Sequence, residues 1–144
     1  MKKIQVDDTK CMACLSCEIA CCVAHSGSEN LYGAASEDIS SRVKVGSGKK
    51  GRGFPLMCRQ CPKPPCGRVC EANALYLNEE GVVMLDENLC TDCLKCIEGC
   101  PRGAIYRVSK ANTYSVIKCD LCVDSGYDPA CVKACMTNAL SLKG

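Results

Sequence analysis

The sequence has little of the bulky apolar surface from which a folded domain usually builds its core. Its 144 residues include no Trp and only one Phe, and the 47% of hydrophobic residues counts 17 cysteines. Burying so little large apolar surface would barely offset the conformational entropy lost on folding. We therefore expect disulfide bonds or metal ligation to contribute folding energy.

Long hydrophobic runs are also missing. The uncharged stretch 19–28 contains His25 and is far shorter than a membrane span. Near Met1 the chain becomes acidic, at Asp7 and Asp8, where a signal peptide would need an apolar run. We expect a cytoplasmic protein with no direct membrane insertion. In a reducing compartment, such dense cysteine indicates metal binding rather than disulfide bonds.

Several classes of function lack the residues they need. With one histidine there is no Ser-His-Asp candidate, and no glycine-rich nucleotide-binding motif is present. The basic residues are dispersed and aromatic residues make up 4% of the chain, which disfavours nucleic-acid binding. We therefore predict no catalytic residues and no nucleic-acid partner.

Sixteen of the cysteines fall into four runs of four, which we number in chain order. The first and third runs share the spacing C-x2-C-x2-C-x3-C, which is the bacterial ferredoxin pattern. The second and fourth keep the outer steps and lengthen the middle loop to four and eight residues. The runs are Cys11, Cys14, Cys17, Cys21; Cys58, Cys61, Cys66, Cys70; Cys90, Cys93, Cys96, Cys100; and Cys119, Cys122, Cys131, Cys135.

This spacing favours iron-sulfur clusters as cofactors. Short C-x2-C steps direct successive thiolates at one small volume, and the x3-C step carries the fourth cysteine one helical turn away, toward a neighbouring cluster. Four-cysteine zinc sites use two well-separated C-x2-C pairs, so a zinc-binding structural or interaction module is the distant alternative. A cluster-using enzyme would need an open iron, whereas each run supplies four ligands.

The residues around the runs repeat as well. After the fourth cysteine of runs two, three and four, Asn73, Gly103 and Asn138 occupy equivalent places and favour a left-handed backbone before a strand. The pattern predicts a loop-rich α+β protein. Predicted strands cover residues 4–6, 74–77, 82–85, 104–108, 115–117 and 140–142, with a hairpin turn at 78–81; predicted helices cover 17–24, 68–72, 97–100 and 130–136.

The sixteen cysteines resemble those of the four-cluster ferredoxin-like subunits that accompany molybdopterin oxidoreductases, hydrogenases and carbon monoxide dehydrogenases. Residues 21–26, 30–32, 42–45 and 54–61 look most like the iron-sulfur subunit of carbon monoxide dehydrogenase. The polyferredoxin subunit of tungsten aldehyde oxidoreductases is similar too.

The resemblance implies that the first run pairs with the fourth and the second with the third. Residues 1–57 and 108–144 would then form one ferredoxin-like half, and residues 58–107 the other. Each of the four 4Fe-4S clusters would take three ligands from one run and one from its partner. The implied sets are Cys11, Cys14, Cys17, Cys135; Cys21, Cys119, Cys122, Cys131; Cys58, Cys61, Cys66, Cys100; and Cys70, Cys90, Cys93, Cys96.

The function implied is that of a non-catalytic electron-transfer subunit in anaerobic metabolism. It would relay electrons between a catalytic redox enzyme, carbon monoxide dehydrogenase above all, and a hydrogenase, ferredoxin or nicotinamide-reducing partner. The alternative source is a tungsten or molybdenum aldehyde or formate oxidoreductase.

Three features lie outside the sixteen predicted ligands. We expect Cys22 to be a small buried residue beside a ligand helix and His25 to make local hydrogen bonds. The basic segment 44–53 is either a solvated loop or a docking site for an acidic partner.

Overall fold

A computed structural model describes residues 1–28, 30–37, 39–110 and 113–144. Its elements are short, as the density of cysteine and turn residues predicts. The strands are β1 (Lys3–Val6), β2 (Lys44–Ser47), β3 (Gly53–Leu56), β4 (Leu75–Leu77), β5 (Val83–Leu85), β6 (Ile105–Lys110), β7 (Thr113–Lys118) and β8 (Leu140–Lys143). The helices are α1 (Ser16–Ala24), α2 (Leu31–Ser36), α3 (Pro65–Val69), α4 (Lys95–Gly99) and α5 (Ala130–Ala134), with 3-10 turns at Lys49–Gly51 and Val123–Ser125.

Within the described residues the strands form four two-stranded antiparallel sheets, pairing β1 with β8, β2 with β3, β4 with β5 and β6 with β7. The β1–β8 pair joins segments from opposite ends of the sequence, with Ile4 opposite Leu142. The helices pair similarly, because α1 packs against α5 and α3 against α4. The segments of runs one and four therefore lie together, as do those of runs two and three.

The core consists of two groups of buried side chains in which cysteine is prominent. The larger group is built on Ile4, Val43, Met57, Val82 and Leu121, together with five cysteines of runs one, two and four. The smaller group contains Leu75, Val83, Ile105 and Val116, together with Cys66 and Cys96. Cysteine thus replaces the aromatic residues that the sequence lacks.

The predicted strands are present, with ends displaced by at most two residues, and the hairpin at 78–81 joins β4 to β5. The helix predicted at 68–72 was wrongly placed, since α3 ends at Val69. Pro65 fits the first turn of a helix because its missing N–H needs no partner there. Cys70 is already extended, with φ −83° and ψ 96°.

Two regions were not predicted to be regular, the β2–β3 hairpin and the helix α2. The segment 44–53 contains β2 and the turn that returns the chain into β3. Four glycines and one serine within it reduced its strand signal. The other is α2, which begins after Asn30, whose side chain accepts a hydrogen bond from the Gly33 N–H at 2.8 Å. The proposed boundary between the two halves, at 107–108, falls inside β6.

Candidate metal centre

The four ligand loops share an unusual backbone conformation. The second residue after the first cysteine of each run has a positive φ: Ala13 (56°), Gln60 (51°), Asp92 (55°) and Leu121 (58°). Non-glycine residues rarely adopt this region, which costs about 1–2 kcal/mol each. A repeated left-handed residue is the type of local strain that concentrates at functional sites, where surrounding interactions must offset it.

One cavity lies among α1, α5 and the start of run four. Its lining includes Cys21, Cys119, Cys122 and Cys131, with Ile4, Val43, Met57 and Leu121 supplying apolar walls. These four thiols are one of the sets implied by the resemblance. About 290 Å³ of the space is free of protein atoms. Three of the thiols come from run four and one from run one.

A second cavity repeats this arrangement in the other pair of runs. Its lining includes Cys70, Cys90, Cys93 and Cys96. Again three cysteines belong to one run and the fourth to its partner. Both cavities therefore present four soft thiolate donors within an apolar surround, a donor set that fits an iron-sulfur cluster.

The other eight predicted ligands do not all line a described cavity, and the structure groups them less completely. Burial raises the pKa of Cys66, and neighbouring Cys58 and Cys100 raise it further, which places these three thiols near one another. Burial likewise raises the pKa of Cys17 to about 11, with Cys11 contributing. Cys61 and Cys135 are half-buried, whereas Cys14 is exposed.

Backbone N–H groups point at several of the sulfur atoms. Gln60 N–H donates to Cys58 Sγ at 3.4 Å, and Leu121 N–H donates to Cys119 Sγ at the same distance. Ala104 N–H donates to Cys100 Sγ at 3.4 Å, and Arg42 N–H to Cys21 Sγ at 3.3 Å. Such donors stabilise a thiolate, which is the form that binds iron. The left-handed residues Gln60 and Leu121 are thus also sulfur-facing donors.

A charged network surrounds Cys21. Arg42 Nη1 donates to Asp120 Oδ2 at 2.7 Å, and His25 Nε2 lies 3.2 Å from Asp120 Oδ1. His25 Nδ1 lies 2.8 Å from the Cys21 carbonyl and 3.6 Å from Cys21 Sγ. Because the carboxylate and the carbonyl can only accept, both ring nitrogens carry hydrogen and the ring is an imidazolium. The predicted local hydrogen bonding of His25 is confirmed, and Asp120 adds a distant partner.

This network changes the acidity of its members. Burial alone would lower the pKa of His25, but its bonds to Asp120 and Cys21 raise the pKa to about 10. Burial would raise the pKa of Asp120, which His25 and Arg42 instead lower to about 2. For Cys21, burial is again outweighed, here by His25 and the Arg42 N–H, so its pKa lies below the ordinary value.

Several other buried thiols have raised pKa values because desolvation prevails. Burial raises the pKa of Cys96 to about 11, with Cys90 and Cys93 adding to the effect, and burial also raises the pKa of Cys131. Clustered, desolvated thiols resist ionisation until a metal is present to neutralise them. Cys22 is half-buried, and burial followed by the nearby Cys21 raises its pKa.

Two polar residues in the core were missed by sequence reasoning. Gln60 Nε2 donates to the Cys119 carbonyl at 2.9 Å, and Gln60 Oε1 accepts from the Val83 N–H at 2.8 Å. Lys118 is 3% exposed, and its Nζ donates to the carbonyl groups of Val83 and Cys119. From the sequence, a lysine and a glutamine next to ligand cysteines are expected at the surface. Only the apolar neighbours Val116 and Ile117 indicate that Lys118 is buried.

Within residues 1–28, 30–37, 39–110 and 113–144, no three His, Cys, Asp or Glu side chains converge tightly enough to hold a single metal ion. Among the helices formed by those residues, none has the length and apolar character to cross a membrane.

Comparison with known proteins matches residues 50–144 to the 4Fe-4S dicluster domain family. An iron-sulfur protein of Rhodospirillum rubrum is 37% identical, over 96% of this chain and 80% of its own length. Electron transport protein HydN of Escherichia coli is 32% identical, over 95% of this chain and 85% of its own. The B subunit of polysulfide reductase from Wolinella succinogenes is 34% identical, over 94% of this chain and 72% of its own length.

Proposed function

Since this chain belongs to the 4Fe-4S dicluster family of iron-sulfur electron transport proteins, we propose that it carries four 4Fe-4S clusters and relays single electrons within a redox complex. In this role it is a non-catalytic subunit. One end accepts electrons from a catalytic redox subunit and the other passes them to an acceptor protein, or the reverse.

The observation that carries the proposal is the composition of the two cavities. Each is lined by four cysteines, three from one run and one from its partner run. Cross-ligation of this kind is a property of two-cluster ferredoxins, in which the last cysteine of a run binds the other cluster. A four-cysteine zinc site would instead take two ligands from each of two separated C-x2-C pairs.

The other two ligand sets follow by the same rule. The proximity of Cys66 to Cys58 and Cys100, and of Cys17 to Cys11, supports the sets Cys58, Cys61, Cys66, Cys100 and Cys11, Cys14, Cys17, Cys135. The packing of α1 on α5 and α3 on α4 supports a division into residues 1–57 with 108–144 and residues 58–107.

The chain's own residues would bind and tune the clusters. When bound, the clusters supply the one-electron chemistry. The thiolates fix their positions, and the N–H groups of Gln60, Leu121, Ala104 and Arg42 stabilise charge on the sulfur atoms. Sixteen thiolates and four oxidised cores change the formal charge from +2 to about −6, so the basic residues act as counterions.

Exposed cysteines indicate where electrons enter and leave. Cys14 in run one and Cys93 in run three are exposed, and they belong to different ligand sets. Met12 and Leu15 are exposed on the first of these loops. Since electron transfer requires close approach, we propose that partner proteins dock over these two loops.

The class of partner follows from the relatives. Those named above include an electron transport protein and a subunit of a reductase, which supports a catalytic redox subunit as partner. Carbon monoxide dehydrogenase is the specific partner proposed from the sequence resemblance, with hydrogenase, ferredoxin or a nicotinamide-reducing protein downstream. A tungsten or molybdenum aldehyde or formate oxidoreductase is the alternative. A cytoplasmic location is proposed from the cysteine content.

The test is an anaerobic pulldown of the tagged protein from its own cells, with iron and acid-labile sulfide measured on the same sample. We expect about sixteen of each per chain. A nickel-iron-sulfur dehydrogenase in the eluate would support the specific partner. A tungsten or molybdenum enzyme in the eluate would support the same electron-relay function with a different electron source. Stoichiometric zinc, or far less iron, would refute the electron-relay function.

A further inference from the structure

The interior contains a positive charge that the fold does not explain. Lys118 ends β7 and is 3% exposed, yet its Nζ donates only to uncharged carbonyl groups, those of Val83 and Cys119. Among the described residues, no carboxylate oxygen lies within salt-bridge distance of it. An ammonium group removed from water is costly unless an opposite charge compensates it.

The nearest acidic side chains do not supply that charge. Asp120 and Glu87 line the same crevice as Lys118, together with Arg42. Asp120 is already bonded to Arg42 and His25. Glu87 is exposed and makes no ion pair in the described part of the chain.

Lys118 lies beside thiols of two different ligand sets. It precedes Cys119 and donates to the Cys119 carbonyl, and Cys119 packs in the same buried group as Cys58. The charge of Lys118 also opposes the rise that burial causes in the pKa of Cys66 and of Cys119. The Cys58 set and the Cys119 set therefore meet here, next to Lys118.

Gln60 reinforces the same junction. It follows Cys58 by two residues, donates to the Cys119 carbonyl and accepts from Val83. Lys118 and Gln60 therefore both join β5 to the Cys119 loop, one with a charge and the other without. Gln60 alone already links β5 to the Cys119 loop without a charge. The burial of a charged lysine at the same place is therefore not explained by the need for this link.

We propose that Lys118 is a positioning residue for electron transfer between the two halves, with its ammonium group as the counter-charge shared by the two clusters that meet at the Cys58 and Cys119 loops. The inference rests on the proposed function. Reduction adds one negative charge to a cluster, and a cation in a low-dielectric surround favours that state. Lys118 thus raises the reduction potential of both clusters together, so the charge adds no energetic step between them.

The experiment is potentiometry followed by electron paramagnetic resonance on the full-length, cluster-loaded protein. Lys118→Met removes the charge and keeps the length of the side chain, Lys118→Gln removes the charge and keeps a donor, and Lys118→Arg keeps the charge. Lys143→Met is the control for net charge, because Lys143 is exposed on β8.

We expect two of the four midpoint potentials to fall in both neutral variants. At a fixed applied potential the ratio of reduced to oxidised cluster should fall at least tenfold, which is about 59 mV for a one-electron couple. Lys118→Arg and Lys143→Met should leave these potentials close to those of the natural protein.

The other outcomes separate charge from packing. Neutral variants that load four clusters with unchanged potentials would overturn the inference and leave the proposed function intact. Neutral variants that fail to load while Lys118→Arg loads fully would support the need for the charge. Equal failure of all three Lys118 variants would overturn it in favour of side-chain shape. A natural protein without clusters would refute the proposed function first, and this inference with it.

Discussion

Runs one and three have identical cysteine spacing and the same local backbone, yet they continue differently after the third cysteine. Leu15 and Leu94 precede their helices with nearly equal φ values of 62° and 63°. Run one then forms the nine-residue helix α1, whereas run three forms the five-residue helix α4. The cysteine pattern therefore determines the ligand loop, and the residues that follow determine the helix.

The residue after the fourth cysteine contributes to the difference, although Cys70 is extended without a proline after it. Pro101 follows Cys100 and disfavours a helical conformation at that cysteine, which has φ −85° and ψ 112°. Cys22 and Val23 follow Cys21 and allow α1 to reach Ala24. As a result Cys21 is buried inside a helix, while Cys100 is half-buried in an extended turn.

The largest expected effect comes from removing the fourth cysteine of either run. Cys21→Ala and Cys100→Ala should each lose one cluster, about four of about sixteen irons per chain. The adjacent Cys22→Ala should retain the full count, because Cys22 is not a predicted ligand. Iron and sulfide analysis after anaerobic purification measures this, and a full complement in Cys21→Ala would contradict its proposed role.

The substitution Asp120→Asn would break the charged network beside Cys21. Loss of the carboxylate leaves Arg42 and His25 without their anionic partner, so we expect destabilisation by about 1.5–3 kcal/mol. The matched control is Asp128→Asn, whose ion pair with Lys133 is exposed and should contribute below about 1 kcal/mol. Denaturant titration of the two variants measures their free energies of unfolding. Equal unfolding midpoints would contradict a larger contribution from Asp120.

The β2–β3 hairpin covers run one at Gly53. A Cβ there would lie 2.7 Å from Cys11 Sγ and 2.8 Å from Val45 Cγ1. Gly53→Ala should therefore cost about 1–2 kcal/mol through overpacking and accelerate cluster loss. Gly46→Ala, in the same hairpin, meets only the Phe54 carbonyl oxygen at 3.8 Å and should be neutral. The decay of cluster absorbance in air compares them, and indistinguishable rates would exclude close packing at Gly53.

The smallest effect is expected after run three, where Gly103 has φ 61°. Gly103→Ala introduces a side chain into a left-handed backbone with free space around it, so strain alone should cost about 1 kcal/mol. Asn138→Gly, at the equivalent place after run four, should be close to neutral because glycine tolerates φ 55°. Thermal unfolding of both variants measures the difference in stability between them. Equal unfolding temperatures would show that the turn at Gly103 rearranges to relieve the strain.

Much of this architecture could be predicted from particular residues. Asn73, Gly103 and Asn138 all have the positive φ predicted from the repeat. The left-handed residues inside the ligand loops could not be predicted, because Ala13, Gln60, Asp92 and Leu121 have no conformational preference in common. Their conformation follows from the direction in which the cysteines must point, which depends on the assembled loop rather than on local propensity.

The burial of Lys118 could not be predicted from the sequence either. Along β7, Val116, Ile117 and Lys118 are all buried, so the strand shows no alternation of inward and outward residues. A lysine in such a strand is conventionally assigned to the surface. Only its hydrogen bonds to Val83 and Cys119 reveal its place in the core.

The pairing of β1 with β8 has a consequence for biosynthesis. Because Ile4 lies opposite Leu142, β1 has no strand partner until β8 has been synthesised. Runs two and three are adjacent in sequence, and α3 meets α4 as soon as both have emerged. Cluster delivery by the cell's assembly machinery is therefore expected to begin at runs two and three, with run one left open until run four and β8 have emerged.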